Sequence, residues 1–211
     1  MDDPVITSLE RQKRDKRRVS VFLDGEFAFG VVDDIVYRFG LKEGLALDAE
    51  TRERIAAANA VLEAKRDAER HLSRRLRAGK EVATFLRGKD YPESVIDTVL
   101  EDFIHARLID DRLFAEAFVR DRLRFRPRSR SVIERELTSK GIEKNLARAV
   151  LSELLGDEAE RDTALALGEK YLRLHASITD EDRKRRLFGF LQRKGYSASV
   201  VFSVLRELGL E

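Results

Sequence analysis

Three stretches of this 211-residue chain repeat one another, and no other feature restricts its fold as strongly. Phe85-Leu86-Arg87-Gly88-Lys89-Asp90-Tyr91, Glu136-Leu137-Thr138-Ser139-Lys140-Gly141-Ile142 and Phe190-Leu191-Gln192-Arg193-Lys194-Gly195-Tyr196 share one pattern. Each block is followed by an apolar series with steps of 4, 1 and 3: Val95, Val99, Leu100, Phe103, then Leu146, Val150, Leu151, Leu154, then Val200, Val204, Leu205, Leu208. That spacing marks one face of a helix. The block before it reads as a helix end. Gly141 and Gly195 sit where a left-handed residue terminates a helix, and Ile142 and Tyr196 follow as the apolar residues that fold back on the last turn. Asp90 takes that place in the first copy, at some conformational cost, and Pro92 bars any continuation. Ile142 and Tyr196 are expected to be buried, with Lys140 and Lys194 exposed. Preceding helices are predicted over about 67–78, 112–125 and 158–175. Each repeat is therefore three helices, covering 67–108, 109–156 and 157–211. Units of this kind bury their faces against neighbours, so the expected class is mainly α: an elongated, curved array of three tandem three-helix repeats.

The first 47 residues differ. Val5–Gln12, Arg18–Leu23 and Glu26–Val32 have strand-like composition, and Asp24-Gly25 is the pair that a type I′ hairpin prefers. A two-residue turn there sets Leu23 opposite Glu26, Phe22 opposite Phe27 and Ser20 opposite Phe29. One face then carries Phe22, Phe27 and Phe29, and the other Val19, Val21 and Leu23. A hairpin apolar on both faces needs company, so residues 5–12 are expected as a third strand, leaning on Asp33–Phe39 and the next helix. That helix is predicted from an N-cap at Asp48 to about Arg77, with Ile55, Ala58, Leu62, Ala68, Leu72 and Leu76 as its apolar stripe. Its first half, 48–66, links the β module to the repeats.

Catalytic groups are not arranged to converge. With zero cysteines, disulfides, thiolate metal sites and thiol nucleophiles are excluded. His71, His105 and His175 have no metal-ligand spacing, and there is neither a GxxxxGK[ST] nor a GxGxxG loop. Asp110-Asp111 and Thr179-Asp180-Glu181-Asp182 read as helix caps. We expect a non-enzyme with no cofactor and no metal. The acidic start Met1-Asp2-Asp3-Pro4 does not resemble a secretory signal, and no apolar run approaches a membrane span, so a soluble cytoplasmic protein without membrane partners is expected.

Charge placement says more. Charged residues make up 38% of the chain, against about 25% in ordinary domains, and cations comprise 30 Arg but 11 Lys. Arginine offers a planar fork suited to phosphates and carboxylates. Arg11, Lys13, Arg14, Lys16, Arg17 and Arg18 crowd the predicted tip between the first two strands. Arg120, Arg122, Arg124, Arg126, Arg128 and Arg130 alternate with other residues across the break at Pro127, so no one helix face holds them. A third group comprises Arg183, Lys184, Arg185 and Arg186 with Arg193 and Lys194. These are the candidate contacts to nucleic acid or to an acidic partner. Arg66, Arg70 and Arg74, interleaved with Asp67 and Glu69, read as a solvated, locally paired face.

The run Arg107-Leu108-Ile109-Asp110-Asp111-Arg112-Leu113-Phe114-Ala115, with Arg122, the basic break at 126–130, Glu136-Leu137 and Lys140-Gly141-Ile142, resembles the central signature of the RecX family. Leu23-Asp24-Gly25-Glu26-Phe27-Ala28 is similar to the N-terminal extension of its longer members. The chain departs from the pattern at Arg107 and Asp90, where glycine is usual, and at Arg126-Pro127, which replaces a common Lys-Gly. The resemblance implies a non-enzymatic regulator that lies in the groove of the RecA–DNA filament, suppresses the RecA recombinase and its ATPase, and contacts single- and double-stranded DNA. The repeats offer no seam for a second chain, so a monomer is expected. Two other readings stand beside it: a helical-repeat protein that binds DNA without RecA, and a structural adaptor whose charges merely solubilise it.

Overall fold

The computed structural model describes residues 3–175 and 180–210; the proposed cap at 179–182 lies partly outside them. Three strands, β1 (Ile6–Arg11), β2 (Arg18–Leu23) and β3 (Glu26–Val32), form an antiparallel sheet in the order β1-β2-β3, so residues 5–12 do supply the third strand. Asp24 and Gly25 both take positive φ, as the turn requires. The predicted register holds for Leu23↔Glu26 and Phe22↔Phe27, then slips. Val21 pairs with Phe29 and Ser20 with Gly30, which leaves Ala28 as an extra residue on β3. Serine 20 therefore does not face Phe29. The cause is burial of the end of β3: without the bulge Val31 would turn outward, whereas here it pairs with Val19 and is 1% exposed. Phe29 moves with it to the side of Val19, Val21 and Leu23, and Phe22 and Phe27 remain as an edge-to-face pair outside.

That inner face packs on α1 (Asp33–Arg38) and on the first half of α2 (Ala49–Leu72), around Ile35, Leu41, Leu47 and Ile55. Asp48 caps α2 by accepting from Thr51 N–H at 2.6 Å. The helix ends at Leu72, a turn before the predicted Arg77, and Leu76 is half-exposed rather than part of the stripe. The chain leaves early because α3 (Gly79–Arg87) starts two residues after Arg77, its first amide held by Asp111 Oδ1 at 2.8 Å. Asp110 caps its own helix through Leu113 N–H at 2.9 Å, so the acidic pair serves two helix starts.

The remaining helices are α4 (Glu93–His105), α5 (Asp111–Phe125), α6 (Arg130–Ser139), α7 (Lys144–Leu154), α8 (Asp157–Leu174), α9 (Asp180–Arg193) and α10 (Ala198–Glu207). Three separate cores correspond to the three repeats: the second half of α2 with α3 and α4, then α5–α7, then α8–α10. The apolar series of α4, α7 and α10 lies in these cores, with Ile96, Ala147 and Val201 as a further buried position in register. By contact the chain divides into two compact units. One is Met1–Leu76 with Val82–Ile109; the other is Arg77–Glu81 with Asp110–Glu211.

All three repeat blocks end alike. Asp90, Gly141 and Gly195 have φ of 63°, 95° and 92°. The amides of Tyr91, Ile142 and Tyr196 reach back to the carbonyls of Leu86, Leu137 and Leu191, and the residue before each bonds one turn back. This is the Schellman closure. Arg107 (φ 55°) ends α4 the same way, Leu108 N–H bonding Phe103 O at 2.8 Å. Two of the positions demand glycine for a second reason. A Cβ on Gly141 would lie 2.3 Å from Lys80 Cβ, in the first turn of α3; one on Gly195 would lie 2.3 Å from Val132 Cγ2, in the first turn of α6. Ile142 and Tyr196 are buried as expected, but Lys140 and Lys194 are half-buried. Their stems lie along apolar surface, with the ammonium groups 5.8 Å above the Phe118 ring and 5.5 Å above the Phe190 ring.

Candidate functional site

The basic positions fall into different environments once their neighbours are in place. In the turn between β1 and β2, Arg11 donates to Lys16 O at 2.9 Å and Arg17 approaches Asp15 at 4.0 Å. Arg18 is drawn inward, paired with Glu63 of α2. Lys13, Arg14 and Lys16 are exposed and have no ion pair among the described residues. These three cations, unpaired with carboxylates among the described residues, are open to a partner.

The arginines of 120–130 divide similarly. Arg122 bonds Glu136 at 2.6 Å and lies 4.4 Å over the Phe118 ring, tying α5 to α6. Arg130 donates to Leu155 O at 2.6 and 3.0 Å and pairs with Asp157 at 2.9 Å, so it satisfies the end of α7 and the start of α8. These two hold the fold. Arg120 pairs with Glu116 one turn back at 3.1 Å. Arg124 rests 5.1 Å from the Phe125 ring, and Arg126 is exposed, with no ion pair among the described residues. As expected, the backbone at 126–129 is not helical.

Arg128 donates to Arg193 O at 3.3 Å while Ser129 N–H donates to Lys194 O at 3.2 Å, so the loop after α5 is pinned to the end of α9. That junction closes a cavity of about 590 Å3 lined by Arg126, Arg128, Lys170 and Lys194 together with Phe125, Tyr171, His175 and Phe190. Among the described residues no carboxylate lines it. Burial, with the nearby Arg128 charge, holds the Lys194 ammonium below its usual pKa. Of the third predicted group, Lys194 lines this cavity, whereas Lys184 and Arg185 lie elsewhere. Arg185 pairs with Asp182 at 2.8 Å, and with Lys184 it borders a separate, smaller cavity beside Phe188 and Leu205. Arg186 and Arg193 are exposed. Lys170 and Tyr171 were not singled out by the sequence reading; both lie on α8, whose charge pattern is ordinary, and their placement depends on how α8 meets α9.

Among the described residues there is no group of three or more His, Asp or Glu side chains able to hold a metal, and no helix is long and apolar enough to cross a membrane.

Comparison with known proteins accounts for nearly the whole chain. Residues 4–48 match the regulatory protein RecX N-terminal domain, and 64–103, 110–151 and 158–205 match the first, second and third three-helix domains of RecX. The chain belongs to the RecX family. The regulatory protein RecX of Bacillus pumilus is 31% identical over 204 residues, covering 97% of this chain and 77% of the relative. That of Clostridium botulinum strain Eklund 17B is likewise 31% identical, covering 96% and 95%. Among solved structures, a crystal structure of regulatory protein RecX superimposes with a TM-score of 0.76 at 27% identity, covering 95% of this chain and 98% of that one. RecX from Lactobacillus salivarius gives 0.66 at 28% identity, covering 73% and 99%. The relatives are named as regulatory proteins.

Proposed function

We propose that this RecX-family protein binds the RecA–DNA filament in its groove and restrains RecA recombinase activity, without catalysing a reaction of its own. The observation that carries the reading is the match of all four RecX domains in order along the chain. Electrostatics supports it: Lys13, Arg14, Lys16 and Arg126 are exposed and lack carboxylate partners among the described residues, and such groups release counterions when they meet phosphate. The protein acts as a monomer in the cytoplasm on this reading. Its direct test is RecA's single-strand-dependent ATP hydrolysis, measured as the protein is added. Hydrolysis should fall, and the protein should co-sediment with filaments. Undisturbed hydrolysis together with no co-sedimentation overturns the proposal.

The cavity at the α5–α9 junction favours a second reading, in which the protein also binds DNA in the absence of RecA. Co-sedimentation with filaments but no binding to naked DNA would assign the cations to RecA carboxylates instead.

A further inference from the structure

His175, Tyr171, Phe190 and Lys194 form one column inside the second compact unit. The His175 and Tyr171 rings stack at 4.2 Å and 22°, the Tyr171 and Phe190 rings at 4.6 Å and 25°, and the Lys194 ammonium stands 5.5 Å over the Phe190 ring. The column forms a wall of the cavity described above, and Phe125, 66% exposed at the end of α5, forms another. Tyr171 and Phe190 also pack against the core of the third repeat, whereas Phe125 and His175 are exposed at the cavity.

We infer that this cavity takes an unpaired nucleotide of single-stranded DNA, its base against Phe125 and the ring column and its phosphates toward Arg126, Lys170 and Lys194. Three observations converge on that chemistry. The volume, about 590 Å3, lies in the range of sites for small organic groups. Phe125 offers an exposed π surface beside the ring column, and a base of any identity can stack on such a surface. Among the described residues the charged lining is cationic, and Arg126, Lys170 and Lys194 have no ion pair there. By contrast, a cavity of about 510 Å3 includes Glu53 and one of about 220 Å3 includes Asp15, Glu63 and Asp67, while the cavity at Lys184 and Arg185, also free of carboxylates among its described lining, is only about 270 Å3. The depressed Lys194 pKa, caused by burial and by Arg128, has the sign expected of a cation held without its counter-charge. A duplex keeps its bases stacked inward and cannot fill the site, so the cavity distinguishes single from double strands.

This inference rests on the proposed function only in taking DNA as a partner, and it is tested without RecA. Fluorescence anisotropy of the full chain would be measured with a labelled oligothymidylate, with an abasic strand of equal length, and with a duplex. Base stacking predicts that oligothymidylate binds at least about fivefold more tightly than the abasic strand. Phe125→Ala should abolish that preference while leaving the abasic strand and duplex unaffected. Arg126→Gln should weaken both strands equally and keep the preference, and circular dichroism would show both variants folded. Equal affinity for oligothymidylate and abasic strands, a preference that survives Phe125→Ala, or no binding to either strand overturns the inference. The RecA reading would still stand on its hydrolysis assay, and the cavity would then be a receptor for acidic protein side chains.

Discussion

Gly195 and Ser129 touch so closely that a Cβ on the glycine would sit 2.6 Å from the serine Oγ, the same oxygen that caps α6 through Val132 N–H. The serine is 1% exposed, and its amide donates to the carbonyl of Lys194. Helix start and helix end are thus one contact. Gly195→Ala must bear both a left-handed backbone, about 1–2 kcal/mol, and displacement of a stiff β-branched neighbour, about 1–3 kcal/mol. We expect a loss of about 2–5 kcal/mol by urea denaturation, and a similar loss for Gly141→Ala. Asp90→Gly should go the other way by up to about 1 kcal/mol, because it relieves the backbone at an exposed position. Equal effects of the two kinds of exchange would show that close approach plays no part.

Arg130 and Arg126 are four residues apart and should behave oppositely. Arg130→Ala strips Leu155 O of its donors and should cost about 1.5–3 kcal/mol. Arg126→Ala should leave stability within about 0.5 kcal/mol. If Arg126 contacts a phosphate, its removal lowers the slope of log affinity against log salt by about one unit. Thermal melts and salt titrations on both variants separate the roles.

For the turn before β2, Lys13, Arg14 and Lys16 exchanged together for Gln should reduce the salt slope by about two to three units, with the sheet intact. Arg18→Ala should instead weaken the packing of the sheet on α2, since its partner Glu63 lies on that helix. If the triple variant bound filaments as the parent does at every salt concentration, the turn would be a bystander.

Asp67 predicts an acid limit to stability. Burial raises its pKa, but hydrogen bonds from Lys89 and Tyr91, with the Lys89 charge, outweigh that and hold the carboxyl below its usual value. Tyr91 donates to it at 3.0 Å and Lys89 at 2.9 Å. A folded pKa below the unfolded one, about 3.9, gives stability that is present above the unfolded value and lost as pH falls through the folded value. The melting temperature should therefore drop below about pH 4. Asp67→Asn should flatten that drop and cost about 1–3 kcal/mol at neutral pH by leaving the partners poorly paired.

Helix ends were legible in the sequence because their chemistry is local: glycine, an apolar follower and a proline announce a Schellman closure without reference to the rest of the chain. The three-helix repeat followed from those ends. The register at Phe29 was not legible, since the bulge at Ala28 answers to the burial of Val31, a demand set by α1 and α2. Among the arginines, sequence gave density but not destination. Arg122 and Arg130 find Glu136, Leu155 O and Asp157 at 14 to 27 residues' remove, so a run of cations that looks uniform divides into braces and free groups. The ring column beside Lys194 was hidden for the same reason, as its members come from two helices.

The contact between a left-handed glycine and the first turn of an earlier helix also gives the molecule a direction of growth. Gly141 receives the first turn of α3, and Gly195 that of α6; Asp90, with its side chain already in place, would collide with a turn offered in that manner. A repeat placed behind the third would have to bring its own left-handed glycine to receive the first turn of α9, as the second and third repeats bring Gly141 and Gly195. A repeat placed ahead of the first could dock its helix start in the same way only after aspartate gave way to glycine at position 90, so one side chain sets where this mode of stacking stops.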